Sequence, residues 1–328
     1  MDRQIYIDAP VIMRLTRLGN RVLSRLTGFE LIHARNRSRL LKQSQQYKSI
    51  KNQHINLTKS LSSLKHDYEL LTKDCNELLS SNKKLTQKNR QLTNLCNSHK
   101  RTMSIIGNFA DNNPNESVDN FINILEFSKS QIGQDIFVVS QLGLRPGFFV
   151  EFGAADGITL SNTHLLESKL GWQGILAEPA RCDADNLAKN RTAKIDYRCV
   201  WKESGHKLKF VEAKYSALST LALYSNDDFH AKQREAPEDT YDVETVSLTD
   251  LLDQHNAPRD IDYLSIDTEG SELDIISTFD FKKYNISIIT CEHNYTESRQ
   301  KIRQTLKKNG YCHVLEGFSE VDDWFVRR

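Results

Sequence analysis

Residues 147–157, GFFVEFGAADG, constrain what this chain can fold into more than any other stretch of it. An apolar run entering Glu151 and Gly153 reads as a buried strand. The glycines that follow read as a tight turn into a helix starting at Ser161 or Asn162. Gly153 and Gly157 would let backbone approach a ligand where a Cβ would collide, and the helix N-terminus behind them offers free N–H donors. A second short strand, residues 174–177, runs into Glu178 and Pro179. An acid at the tip of strand two, roughly 20–25 residues past the glycines, is placed to accept hydrogen bonds from both hydroxyls of a ribose.

Glycine spacing separates the cofactors that use such a turn. A dinucleotide site usually shows GxGxxG, because the pyrophosphate rests on the turn itself. Here the pattern is ExGxxxG, from Glu151 to Gly157. An acid two residues before the first glycine repels a pyrophosphate and suits a positively charged amino-acid end, as in S-adenosylmethionine. The spacing therefore favours the methyl donor over NAD. The expected binding set is Glu151, Gly153, Ala155, Asp156, Gly157, Asn162, Glu178, Pro179 and Val200, with Asp267 from further along the chain. Trp201 is a second neighbour for an adenine ring. The plain alternative is a strand-to-helix turn that binds nothing.

The rest of the C-terminal half alternates in the same way. Strands are expected at residues 148–152, 174–177, 195–200, 207–211, 262–266, 286–291, 313–316 and 323–326, and helices at 118–128, 134–141, 248–254 and 298–309. Continuous apolar strands between helices predict an α/β domain with a mostly parallel sheet covered on both faces and antiparallel strands near the end. Ligands in such sheets sit at the carboxyl ends of the strands. Two of those ends are rich in acids: DTEGSE from Asp267, and Glu292 with His293 and Asn294. Methylation of a hydroxyl needs positioning and a group to take the proton. Asp267, Glu269 and His293 are candidates for that base. Asp267, Glu269 and Glu292 are alternatively oxygen ligands for Mg²⁺. Against this, acids at strand ends are often solvated, Thr268 or Ser271 could simply cap a helix near Glu272, and a lone histidine is more often structural.

The N-terminal third carries a different signal. Leu57, Leu64, Leu71, Leu78, Leu85 and Leu92 recur every seven residues, with Leu61, Tyr68, Cys75, Asn82, Asn89, Cys96 and Met103 between them. This is an a/d seam with leucine at d and two asparagines at a, the pattern of a parallel two-stranded coiled coil whose register the asparagines fix. The e and g positions carry too little opposite charge to choose a partner. Residues 30–106 are assigned to the coil, 107–117 to a polar linker, and 118–328 to the catalytic domain. Residues 1–29 contain a basic amphipathic helix, with Arg14, Arg17, Arg21 and Arg25 opposite an apolar stripe. It suits an anionic membrane surface or an assembly partner.

Net charge is +1, but residues 1–110 hold 20 Lys+Arg against 7 Asp+Glu, which leaves 24 against 36 for residues 111–328. An acidic catalytic half argues against nucleic acid as a partner. The six cysteines show no CxxC and no Cys/His cluster at zinc spacing, which argues against a structural metal and fits a reducing compartment. With no apolar run near 18 residues and no signal-peptide pattern, the expected location is cytoplasmic, with a peripheral membrane contact through the first helix.

From residue 130 onward the chain resembles the FkbM family of S-adenosylmethionine-dependent methyltransferases. SQIGQD (130–135), FFVEFGAADGITLSNTHLLE (148–167), GWQGILAEP (171–179), SALSTL (216–221), IDYLSIDTEGSELDII (261–276) and CEHN (291–294) carry the resemblance, which spans about three fifths of the chain. It implies a class I, Rossmann-like methyltransferase fold and transfer of a methyl group to oxygen, with a sugar or surface-glycan hydroxyl as the leading acceptor. It also implies Gly153 in the glycine turn, Glu178 as the ribose acid, and Asp267 with Glu269 at the fourth-strand site. The coil and the basic helix lie outside that family's core pattern. The expectation is a dimeric or tethered O-methyltransferase. The alternative is a non-catalytic coiled-coil scaffold in a glycan-assembly complex that keeps the fold.

Overall fold

A computed structural model describes residues 30–225 and 237–328, with side chains from residue 37 onward. The basic helix expected at residues 1–29 lies outside the described residues. The chain divides into two compact units, Met1–Arg90 and Gln91–Arg328.

In the first unit the described residues form a single helix, part of the element Glu30–Asn112. The leucine seam runs along it in the open: Leu57, Leu64, Leu71, Leu78 and Leu85 are all exposed, as are Leu61 and Tyr68 between them. Leaving so many large apolar side chains in water costs free energy that burial against another surface would recover.

In the second unit the helix continues through Gly107 to Asn112, where a polar linker was expected from residue 107. The reason is tertiary. Ile105 and Phe109 on this last stretch are fully buried, and Phe109 stacks on Phe121 at 4.2 Å. Arg101, also buried, donates to the carbonyl of Ile132 and pairs with Glu320. Packing of this kind outweighs the roughly 1 kcal/mol that a glycine costs inside a helix.

Among the described residues, seven strands form the main sheet. They are β1 (Phe148–Phe152), β2 (Gln173–Ala177), β3 (Lys194–Asp196), β8 (Asp260–Ile266), β9 (Asn285–Glu292), β10 (Tyr311–Val314) and β11 (Asp322–Arg327). Four more make a second sheet: β4 (Cys199–Trp201), β5 (Lys207–Glu212), β6 (Thr220–Leu221) and β7 (Asp239–Ser247). The main sheet has the order β10-β11-β9-β8-β1-β2-β3. Strands β3, β2, β1, β8 and β9 are parallel, and β11 lies antiparallel between β9 and β10. The chain winds outward from β1 to β3 and returns to β8 on the other side of β1. That reversal opens a crevice at the carboxyl ends of β1 and β8. This is the class I methyltransferase fold.

Alternation along each strand builds a core on both faces. Val150 and Phe152 of β1 join Leu264 and Ile266 of β8 in one cluster, while Phe149 and Tyr263 face the other with Phe137 and Trp324. Helix Gln134–Leu142 covers the second face, its Phe137 stacking on Trp324 at 4.6 Å.

The single strand expected at residues 195–200 is instead two strands in two sheets. Asp196 ends β3 and bends the chain, its carboxylate accepting from the Arg198 backbone N–H at 3.0 Å and from the Arg198 guanidinium. Cys199 then enters β4, which pairs with β7. Strand β7 itself, with its alternating burial, and helix Ala184–Asn190 were not expected from the sequence. The second sheet encloses its own small core of Cys199, Trp201, Phe210, Leu221, Tyr241 and Val243. Among the described residues, no helix is long and apolar enough to cross a membrane.

Candidate active site

A pocket opens at the carboxyl ends of β1, β2 and β8. It is lined by Phe152, Gly153, Ala155, Ala177, Glu178 and Pro179, by Val200, Phe210 and Leu221 of the second sheet, and by Ser216, Ala217 and Ser219. Of the expected binding residues, Glu151, Gly153, Ala155, Asn162, Glu178, Pro179, Val200 and Asp267 line it. Asp156, Gly157 and Trp201 are not among its lining residues.

Gly153 has φ +72°, and a Cβ there would sit 2.1 Å from the Asp267 carbonyl oxygen. Close approach of β1 to the end of β8 therefore requires glycine, and the neighbour is the protein's own backbone. At Gly157, φ +81°, a Cβ would meet Arg191 Cγ at 2.6 Å and Leu187 at 2.8 Å. Both glycines serve packing within the chain; Gly153 lines the pocket as well, and Gly157 does not. Asp156 is occupied by its own turn, accepting from the N–H groups of Ile158 and Thr159 and from the Thr159 hydroxyl. Trp201 sits in the small core and donates to the Tyr224 hydroxyl.

Glu151 shows why the first helix begins late. Its buried carboxylate accepts from Ser161 Oγ, the Asn162 N–H at 2.6 Å and Thr163 Oγ1, and Arg191 stands 3.6 Å away. With these three consecutive residues engaged by one acid ahead of it, the helix runs over His164–Leu170. Burial pushes the Glu151 carboxyl above its ordinary value, and the Arg191 guanidinium and these hydrogen bonds work against that. Arg191, itself buried, is fixed by Glu167 at 2.7 Å and the Gly157 carbonyl. Asn162 donates to Ser265 Oγ at 2.9 Å, while its buried Oδ1 has no partner.

Glu178, at the tip of β2, accepts the Ala155 N–H on one oxygen and the Ala180 N–H on the other, both at 2.8 Å. Burial is the largest influence on it and pushes its carboxyl up to about 7.

The acids expected to act together do meet. One carboxylate oxygen from each of Asp267, Glu269 and Glu292 lies within 4.8 Å of the other two. Parallel pairing of β8 with β9 ends both strands side by side, and Glu269 reaches inward from a left-handed backbone at φ +54°. The Glu269 carbonyl accepts from Thr220 Oγ1 at 2.7 Å, and its Oε2 from Asn294 Nδ2 at 3.3 Å. Burial, then the nearby Asp322 carboxylate, push Asp267 up to about 8; burial and Asp267 push Glu292 well above its ordinary value. Thr268 and Ser271 bond to each other, while Glu272 Oε1 accepts from the Thr268 and Gly270 N–H groups. The turn before helix Glu272–Thr278 is thus held by Glu272, with no side-chain cap from Ser271.

His293 is absent from the pocket lining. Its Nδ1 accepts the Tyr295 N–H at 3.0 Å and its Nε2 lies 3.7 Å from Asp323. Burial pulls its pKa down to about 4, so the ring is neutral near pH 7. Of the three residues expected as a base, Asp267 and Glu269 line the pocket and His293 does not.

Several residues at the site had gone unassigned. Gln131 and Gln134 line the pocket, and Gln134 donates to Asp322 at 2.8 Å. Asp322 stands opposite Glu292 in the β11–β9 register, and burial pushes it up to about 7. Ser216, Ala217, Ser219 and Leu221 also line the pocket. Both segments lie in motifs that the family resemblance already marked, SQIGQD and SALSTL, and that was the signal available.

The profile of the Methyltransferase FkbM domain matches residues 151–313. A search of curated proteins gives no match. Among solved structures, precorrin-6y C5,15-methyltransferase from Geobacter metallireducens GS-15 is 12% identical with a TM-score of 0.33, covering 61% of this chain and 92% of that one. A fibrillarin/Nop5p complex is 11% identical with a TM-score of 0.29, covering 61% and 81%.

Proposed function

This chain belongs to the FkbM methyltransferase family through residues 151–313, and from that membership we propose that it uses S-adenosylmethionine to methylate a hydroxyl of a sugar or surface glycan. The observation that carries the proposal is the pocket itself. A buried acid at the tip of β2, a buried acceptor at Asn162 with no partner among the described residues, and two acids that follow β8, Asp267 and Glu269, line one crevice.

These residues fit the methyl donor. Glu178 offers acceptors for ribose hydroxyls, the Asn162 Oδ1 is an acceptor for an ammonium group, and Val200 with Phe210 and Leu221 supplies apolar walls for a purine. When bound, S-adenosylmethionine supplies a sulfonium methyl group, whose bond to sulfur breaks as a bond to the acceptor oxygen forms. The chain's own part is to hold the acceptor in line and to accept its proton. Asp267 and Glu269 line the pocket and are the groups for that proton. The exposed leucine seam adds a parallel homodimer, with the N-terminal segment as a tether to a membrane surface or an assembly partner.

Incubation with methyl-labelled S-adenosylmethionine and a panel of glycosides tests the reading. Label is expected on a hydroxyl oxygen, stable to conditions that hydrolyse methyl esters. Label confined to amines or carboxylates would refute the O-methyl assignment.

A further inference from the structure

We propose that Asp267, Glu269 and Glu292 form a binding site for a single hard divalent cation, Mg²⁺ or Mn²⁺, beside the methyl-transfer pocket. The role given to it here rests on the methyltransferase reading above; its existence as a site does not.

The geometry has the right scale. Oxygens on opposite sides of Mg²⁺, each about 2.0–2.1 Å from it, are about 4.2 Å apart, and around a larger divalent ion about 5 Å apart; the three carboxylate oxygens, within 4.8 Å of one another, lie on that scale. All the donors are oxygens, with no thiolate or imidazole in the set, which selects a hard ion over zinc or copper.

An acidic cluster alone would not suffice. Here two buried acceptors, one on Glu292 of the cluster and one on Asn294 beside it, find no donor among the described residues. Glu292 is only 8% exposed, and its Oε2 has no hydrogen-bond partner. Asn294 is likewise 8% exposed; its Nδ2 donates to Glu269 Oε2, which holds the amide against the cluster, and its Oδ1 has no partner. Unsatisfied buried acceptors are rare because each one costs free energy. A cation answers both, directly or through a coordinated water, and offsets the mutual repulsion that the three acids meet when ionised.

Placed there, a cation brings positive charge to the acceptor hydroxyl and makes its proton easier to remove. Each carboxylate that gives one oxygen to the ion keeps a second, and one of these takes the hydroxyl proton. The methyl group then passes from sulfur to oxygen, the sulfonium becomes a neutral thioether, and charge balances without any further reactant.

The test is a titration of the metal-stripped full chain with Mn²⁺, followed by electron paramagnetic resonance of the free ion, with Mg²⁺ as competitor. One Mn²⁺ per catalytic domain is expected, displaced by Mg²⁺ and weakened at least tenfold by Glu292→Gln and, independently, by Glu269→Gln. Calorimetry of S-adenosylmethionine on Glu292→Gln is the control, since Glu292 is not among the residues that line the cofactor pocket. Wild-type protein that binds no Mn²⁺ at millimolar concentration, or folded variants that bind it as tightly as wild type, would overturn the site. Cofactor binding without cation binding would remove the cation and leave the methyltransferase. Cation binding without cofactor binding would do the reverse.

Discussion

Glu178→Gln separates the charge of the β2 acid from its shape. In the wild type, burial pushes this carboxyl up to about 7 while its two oxygens accept the Ala155 and Ala180 N–H groups. A ribose diol binds best to the ionised form. For a group with a pKa near 7, about a tenth is ionised at pH 6 and about nine tenths at pH 8. Apparent affinity scales with the competent fraction, so S-adenosylmethionine should bind roughly tenfold more tightly at pH 8 than at pH 6 on account of this residue. Glutamine keeps the volume and one acceptor, removes the titration and weakens the charge-assisted bonds by about 1.5–3 kcal/mol, roughly 10- to 150-fold at pH 8. Stability runs in the opposite direction. A carboxyl raised from 4.5 to about 7 on folding binds more protons in the folded state, so its contribution declines as pH rises between those values. The variant should lose about 3 kcal/mol of that decline. The assay is isothermal calorimetry of both proteins at pH 6, 7 and 8, in buffers of matched ionisation enthalpy. Subtracting the variant's profile removes the other carboxyls that titrate in this range. The same pH dependence in both proteins would refute the assignment.

Four further outcomes follow from the packing. Gly153→Ala puts a Cβ 2.1 Å from the Asp267 carbonyl oxygen at φ +72°, and should lower unfolding stability by at least about 2 kcal/mol in urea titrations. Arg191→Leu leaves Glu151 and Glu167 without their buried partner; a loss of roughly 3–5 kcal/mol is expected, read as a fall in the urea midpoint. Phe109→Ala removes a ring stacked on Phe121 and should cost about 3–5 kcal/mol, whereas a detached linker at that point would make the change nearly silent. If the exposed leucine seam pairs two chains as proposed, wild type has the mass of a dimer by light scattering and Leu71→Asp with Leu78→Asp that of a monomer with cofactor binding unaltered; a monomeric wild type or an unchanged mass would refute the seam as a dimer contact.

Much of the catalytic fold is legible in the sequence because its parallel strands are continuous apolar runs. β1 falls on residues 148–152 as expected, and β2, β8 and β9 differ from expectation by one or two residues at an end. The acidic cluster is legible for the same reason, since placing Asp267, Glu269 and Glu292 at adjacent strand ends needs only the strand order. Two things depend on contacts distant in sequence and were missed. One is the second sheet, in which β7 is polar on every other residue and finds its place only by pairing with β4 and β5. The other is the role of glycines and polar side chains whose neighbours come from elsewhere. The ExGxxxG spacing suggested ligand contact at Gly157, but the atom that requires glycine there belongs to Arg191, 34 residues on. Likewise, the length of the long helix is set by Ile105 and Phe109 entering the domain core, which outweighs Gly107 and the polar residues after it.

The central claim is methyl-donor binding in the crevice between β1 and β8. Calorimetric titration of the full chain with S-adenosylmethionine, S-adenosylhomocysteine and NAD tests it most directly. Binding of the first two at one site per chain, weakened by Glu178→Ala, and no heat from NAD is the expected result. Binding of NAD alone, or of none of the three by folded protein, would contradict the account.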